Sequence, residues 1–328
     1  MITIGAALLG LGWGSSALVH EPWQLNLTLG LLAAFGMSVA WVPCNATVAR
    51  WFTRRRGTAV AIASTGASCG NFVMPPLMAL AVQHWGWRVA LGGLALVSAI
   101  CILMIARFMV RDPETVGLRP DGDDIASAAT ESSGVTVRDA LRMESFWFIV
   151  GIYFLTWLVV FVPFVHAPAL ASDLGFSREL GASLLSAIGL SGMVGRLSTG
   201  IVSDALGRFP TLFVLCALQA LSFWLFGVAD SAFRLWAAAL VFGVSYGGCV
   251  ALLPPLCGDL FGRAHVGSIV GVIFAIAGSP AAVGPYLAGA LHDSSGSYAS
   301  TFTYAALFNL LALMFTVMLA WRCTIRAL

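Results

Sequence analysis

The chain has 328 residues, 59% of them hydrophobic and 10% charged, with a formal net charge of +2 and a mean hydropathy of +0.91. Soluble domains are about 45–50% apolar and about 25% charged, so this composition excludes an ordinary water-soluble core. A charge this near neutrality provides no field for nucleic acid. All 17 basic side chains are arginines, and the 7 cysteines are scattered without a C-x-x-C pair. Metal-ligand spacing is therefore missing, and the cysteines read as small helix-packing residues.

A membrane-spanning helix needs about 20 mostly apolar residues. Ten runs meet that length, near 2–19, 27–49, 57–82, 89–110, 145–170, 181–203, 211–229, 233–257, 266–291 and 298–321. Backbone polar groups in lipid must be satisfied within the segment, so these are helices. The first run has no positive flank and is a poor signal peptide. In the second, Trp41 and Asn45 lie one turn apart beside Pro43; they either face a pore or pack between helices. The basic turn WFTRRRG, with Arg54, Arg55 and Arg56, precedes the third run.

Residues 112–143 are polar, acidic and rich in Ser, Gly and Ala. They predict a linker with a short amphipathic helix near VRDALRM. The organisation expected is a four-span bundle over 1–111, a linker over 112–144 and a six-span bundle over 145–328. His166 lies toward one end of the fifth span, between Pro163 and Pro168. It could take or pass a proton, or bond a carbonyl at the interface. Tyr246 and Asn309 are polar groups inside later apolar runs; the former is a candidate cavity residue, the latter a helix contact.

The sixth span ends in GRLSTGIVSDALGR. Arg196 lies eight residues before Asp204, which places it about 12 Å along the helix and well inside the bilayer. An arginine at that depth faces a protein interior or a watery cavity and marks a functional site by default. Its planar fork suits a carboxylate; the alternatives are snorkelling or a structural bond to a carbonyl.

Orientation follows from the arginines. With both termini and the even-numbered connections on the cytoplasmic side, that side holds all but Arg88, Arg178 and Arg234, a strong positive-inside bias. An internal repeat then accounts for four spans followed by six. At an offset of 210 residues, Gly57, Pro75, Leu77 and Gly86 meet Gly267, Pro285, Leu287 and Gly296. Span three pairs with nine and span two with eight; spans five and six have no partner. The pattern is six plus six with the first two spans missing. Repeated halves mark secondary transporters, whose site lies near the midplane between the halves.

GRLSTGIVSDALGR resembles the second-half loop motif of the major facilitator superfamily. ARWFTRRRGTAVAIASTGASCGNFVMPPL followed by GWR is similar to the fourth-to-fifth helix region of monocarboxylate transporter-like and oxalate/formate antiporter-like members. ETVGLRPDG, TVRDALRMESFWF and HAPALASDLGFS resemble the linker and seventh helix of bacterial members of that group. The resemblance implies an all-α polytopic fold of two pseudo-symmetric bundles, the ten spans being helices three to twelve of twelve.

It also implies roles. Arg196 would bind a substrate carboxylate, with Trp41, Asn45, His166 and Tyr246 as further candidates. An aspartate that many animal members place four residues earlier is Gly192 here. Asp204, Gly207 and Arg208 would form a gating turn that locks the halves in one state, together with the arginines 54–56. Gly195, Gly200 and Gly207 would permit close helix approach.

The function implied is secondary transport of a small organic anion, a monocarboxylate for example, by alternating access. A co-transported proton or an exchanged anion would drive it. The expected partners are that small-molecule substrate, the proton and the bilayer, with no organic cofactor, no metal and no nucleic acid, acting as a monomer in a bacterial inner membrane. A membrane enzyme finds no support: H-E-x-x-H, G-x-S-x-G and paired intramembrane carboxylates are all missing. A shortened remnant or a membrane sensor that binds without transporting is the alternative.

Overall fold

The computed structural model describes residues 2–52, 55–122, 134–262 and 264–327, a few of them, including Trp41 and Arg56, without their side chains. Among the described residues the chain is helical, with one isolated antiparallel bridge between Gly134 and Gly262. This is what a 59% hydrophobic chain must do in lipid, where each backbone N–H needs an internal partner.

The helices are α1 (Ile2–Ser16), α2 (Pro22–Leu25), α3 (Ala34–Trp51), α4 (Arg56–Ala106), α5 (Val137–Ala140), α6 (Glu144–Val160), α7 (Val162–Asp173), α8 (Arg178–Leu206), α9 (Arg208–Gly227), α10 (Ala232–Phe261), α11 (Val266–Gly278), α12 (Val283–Ser295) and α13 (Tyr298–Ala327). A wider π-helical stretch, Asn26–Ala33, joins α2 to α3, so that Pro22–Trp51 runs as one span. Likewise α6 and α7 form one span, as do α11 and α12.

Eight stretches of the described residues are long and apolar enough to cross a membrane. Two of the ten expected runs do not stand among them, for separate reasons. The first is α1, 15 residues long, because the chain turns at Ser15, Ser16 and Ala17. The third is the opening part of α4, where Thr, Ser, Gly and Asn dilute the hydropathy; the strongly apolar window of α4 is Leu80–Ala106. The boundary expected between spans three and four falls at Gly86, whose φ of 77° and ψ of 158° break α4 into two helical segments. A positive φ there suits glycine alone.

The chain divides into two compact units: Met1–Arg54 with Val73–Ala126, and Arg55–Phe72 with Ser127–Leu328. In the first, polar bonds tie helix ends to connections. Arg50 Nη1 donates to Asp112 Oδ1 at 2.6 Å, Trp51 Nε1 to the Val110 carbonyl at 3.0 Å, and Arg88 Nη2 to the Val19 carbonyl at 2.9 Å.

The second unit has the larger core. Phe164, Phe242, Phe223, Phe302 and Phe226 form a continuous aromatic chain, whose rings bury large apolar areas. The short linker helix expected near VRDALRM is α5, capped by Thr136, whose hydroxyl accepts from the Asp139 N–H at 3.3 Å. The long helix α8 starts behind Ser177, which caps the Leu180 N–H at 3.3 Å.

Candidate functional site

The geometry of the site begins with how closely α8 and α10 approach. A Cβ added at Gly195 would lie 2.1 Å from the Val244 carbonyl oxygen, and one at Gly247 would lie 2.1 Å from that of Gly192. Only hydrogen fits at such contacts, which is the physical use of small residues in membrane interfaces. Gly247 was not singled out in the sequence, because nothing in VSYGGCV says which helix faces it.

Gly207 stands at a turn and not at a close helix contact. With φ of 95° it forms the turn between α8 and α9, and a Cβ there would meet only Pro210, at 3.8 Å. Gly200 is buried on α8, and its carbonyl accepts from the Ser203 hydroxyl at 3.3 Å.

Arg196 projects from α8 into this packed interior and is 1% exposed. Its Nη1 donates to the main-chain carbonyl of Ser64, on α4, at 2.7 Å. Its Cζ lies 5.7 Å from the centre of the Tyr246 ring, within cation–π range. A carbonyl dipole and an aromatic face are thus among the groups that hold the charge. Of the alternatives open in the sequence, snorkelling to the interface is ruled out by the burial and a carbonyl bond is present. Tyr246 is braced in turn by Phe242, stacked at 5.9 Å, and by Phe164, edge-on at 5.4 Å. Ser64, Ser68, Ser191, Thr199 and Ser245 are buried polar residues of the same unit.

At one end of α8 lies a second constellation. Asp204 accepts at Oδ2 from both the N–H and the hydroxyl of Thr58, each at 3.0 Å, and at Oδ1 from Arg208 Nη1 at 2.6 Å. Arg208 also donates through Nε to Asp259 Oδ2 at 2.8 Å and through Nη1 to Ser203 Oγ at 2.7 Å. Thr58 stands in the first turn of α4, where N–H groups lack helical partners and the dipole favours an anion. Asp204 is that anion. The network joins α4, α8, α9 and α10, and three of its members, Thr58, Ser203 and Asp259, were not read from the sequence. Asp259 did carry a signal, being an acid at the end of an apolar run.

The remaining candidates distribute as follows. His166, on α7, bonds the Pro285 carbonyl through Nε2 at 2.9 Å and the Tyr298 hydroxyl through Nδ1 at 3.1 Å. Those partners lie on α12 and α13, so His166 belongs to a cluster of its own rather than to the Arg196 group. Asn45 is buried in α3 within the first unit. The side chains of Trp41 and Arg56 and the whole of Arg54 lie outside the described residues; Arg55 is exposed. Asn309 donates to the Ala305 carbonyl of its own helix at 3.1 Å. No group of three or more His, Cys, Asp or Glu suited to a metal ion occurs among the described residues.

Buried cation, glycine-lined helix contact and charged turn all lie on helices of membrane-spanning length, and the sequence model of the Major Facilitator Superfamily matches residues 1–284. The chain belongs to the Major Facilitator Superfamily. Similar proteins include monocarboxylate transporter 12-B of Danio rerio, 26% identical over 349 residues, covering 98% of this chain and 73% of that protein. Human monocarboxylate transporter 11 is 30% identical over 319 residues, covering 92% and 64%. Among solved structures, the human organic anion transporter MFSD10 (TETRAN) matches with a TM-score of 0.71 at 16% identity over 96% of this chain and 76% of its own. The proton:xylose symporter XylE gives 0.73 at 15%, over 96% and 78%. At such identities the structural likeness speaks to the fold. The superfamily fold and the transporter class expected from the motifs are therefore those of this chain, which is a multi-pass membrane protein whose relatives are transporters, not enzymes.

Proposed function

We propose that this superfamily member is a secondary transporter of small organic anions, monocarboxylates among them, working by alternating access. The observation that carries the reading is Arg196, a fully buried cation at mid-helix. Burial of an ionised side chain costs several kcal/mol unless strong partners offset it. A carboxylate, offering two oxygens to a planar fork, is a stronger partner than a carbonyl or a ring face. An anion that reaches Arg196 would therefore draw the guanidinium from Ser64, and in doing so free α4 from α8. That the relatives are named monocarboxylate transporters supports the substrate class.

The Asp204 network supplies the gate. Its carboxylate holds the first turn of α4, while α4 runs on into the chain of the first unit. Breaking and remaking this contact would bias a two-state rocker with a modest energy difference. The arginines 54–56, adjoining Thr58 in the chain, complete the basic turn. Tyr246 positions the guanidinium. The driving force would be a co-transported proton or an exchanged anion, and the unit of function a monomer.

The arginine bias supports placing both termini on the cytoplasmic side. The bacterial inner membrane is supported by the linker and fifth-span motifs alone, since the relatives named above are from vertebrates. The test is uptake of radiolabelled pyruvate into proteoliposomes against a proton gradient or internal anion. Uptake that saturates and is lost in Arg196→Ala supports the reading. Saturable binding without flux would point instead to a sensor.

A further inference from the structure

The start of α4 can be followed along α8 turn by turn. Over this stretch the two helices run antiparallel, since Thr58 meets Asp204, Ser64 meets Arg196 and Cys69 meets Met193. One turn further the backbones are close again: a Cβ added at Gly189 would lie 3.4 Å from the Phe72 nitrogen. Between Ser64 and Phe72 stands Ser68, 2% exposed. Opposite it α8 presents Gly192, where an added Cβ would lie 3.5 Å from the Ser68 hydroxyl oxygen. That hydroxyl makes no hydrogen bond among the described residues.

Its neighbours on the same helix behave otherwise. Ser64 and Thr65 turn their hydroxyls back to the Ala61 carbonyl, each at 2.9 Å, as Ser and Thr inside helices commonly do. The matching acceptor for Ser68 is the Ser64 carbonyl, four residues back. That oxygen already accepts from Arg196 Nη1 at 2.7 Å, and in an α-helix it accepts from the Ser68 N–H as well. A carbonyl oxygen has two lone pairs, so both are engaged. The guanidinium thus takes the place that the Ser68 hydroxyl would fill. Buried polar groups are hydrogen-bonded as a rule; here one hydroxyl is held off its natural acceptor by a cation from the facing helix.

We infer that Ser68 is a positioning residue that replaces Arg196 on the Ser64 carbonyl when Arg196 turns to the cargo. Rotation about one side-chain bond brings the hydroxyl onto the freed oxygen. The carbonyl then keeps its second hydrogen bond in both states, so releasing Arg196 costs less. The exchange also turns a bond between two helices into a bond within one. A back-bond of this kind bends its helix, and α4 is parted from α8. The cargo step rests on the organic-anion reading given above; the exchange itself requires only that Arg196 leaves.

A cycle of thermal melts in detergent tests the exchange without any cargo. In the native chain the Ser68 hydroxyl is unbonded, so Ser68→Ala is expected to leave Tm unchanged. In Arg196→Ala the Ser64 carbonyl is free and the hydroxyl bonds it. Adding Ser68→Ala there is expected to lower Tm by about 1–3 °C, the loss of one hydrogen bond. Should Arg196→Ala fail to fold, Arg196→Met fills more of the space and serves in its place. A Ser68→Ala effect of equal size in both backgrounds, or none in either, would overturn the inference.

Pyruvate binding to the purified full chain gives the second readout. Ser68→Ala is expected to weaken it about two- to tenfold, and Ser68→Thr, which keeps the hydroxyl, is expected to restore it. Binding of native strength in Ser68→Ala would overturn the positioning role. Should the native chain bind no pyruvate while the Tm values couple, the organic-anion reading falls and the exchange stands on the cycle.

Discussion

Arg196 stood out in the sequence because a charge among apolar residues is costly enough to need a reason. Its partner could not be seen there, since the Ser64 main-chain carbonyl has no side-chain signature and lies 132 residues away. Substitutions separate the roles. Arg196→Lys keeps the charge and loses the fork. A charge-assisted hydrogen bond contributes about 1.5–3 kcal/mol, so pyruvate transport efficiency is expected to fall about 10- to 100-fold, with the protein still reaching the membrane. Tyr246→Phe keeps the aromatic face and is expected to change transport by less than about tenfold, because the cation–π contribution survives. Uptake kinetics on purified variants check both, and native rates in Arg196→Lys would argue against bidentate carboxylate recognition.

At the scale of helices, α8 and α10 touch through glycine. Gly195→Ala would push a methyl group toward the Val244 carbonyl, where a Cβ has 2.1 Å of room. The helices must then part, at a cost of about 1–3 kcal/mol. A thermal melt in detergent should register this as a lower Tm, while Gly66→Ala, with nothing within 4 Å of its added Cβ, should leave Tm unchanged. Helix existence was legible in the sequence because apolar runs of spanning length have few other solutions. Helix pairing was not, because α8 meets α10 through residues some 50 positions apart. Breaks were partly legible: Pro163 and Gly86 are standard punctuation, yet only the dihedral angles at Phe161 and Gly86 show where the chain bends. Asp204→Asn keeps the shape of the cap on α4 and removes its charge, which contributes about 0.3–1 kcal/mol at a helix end. The maximal transport rate is expected to change severalfold with little change in the half-saturating concentration. The reverse pattern would move Asp204 from gating to binding.

For the whole molecule, the repeat and the arginine asymmetry carried the architecture, and the match to the superfamily over residues 1–284 agrees with it. Both signals are global, since the 210-residue offset and the arginine bias each draw on the whole chain. The chemistry of the cargo is not global, and it rests on one buried guanidinium. The most direct measurement is therefore the counterflow of labelled pyruvate in proteoliposomes containing the native chain or Arg196→Ala. The account predicts that labelled pyruvate accumulates transiently when unlabelled pyruvate is loaded inside, and that Arg196→Ala abolishes the accumulation. Equal counterflow in the two proteins would contradict it.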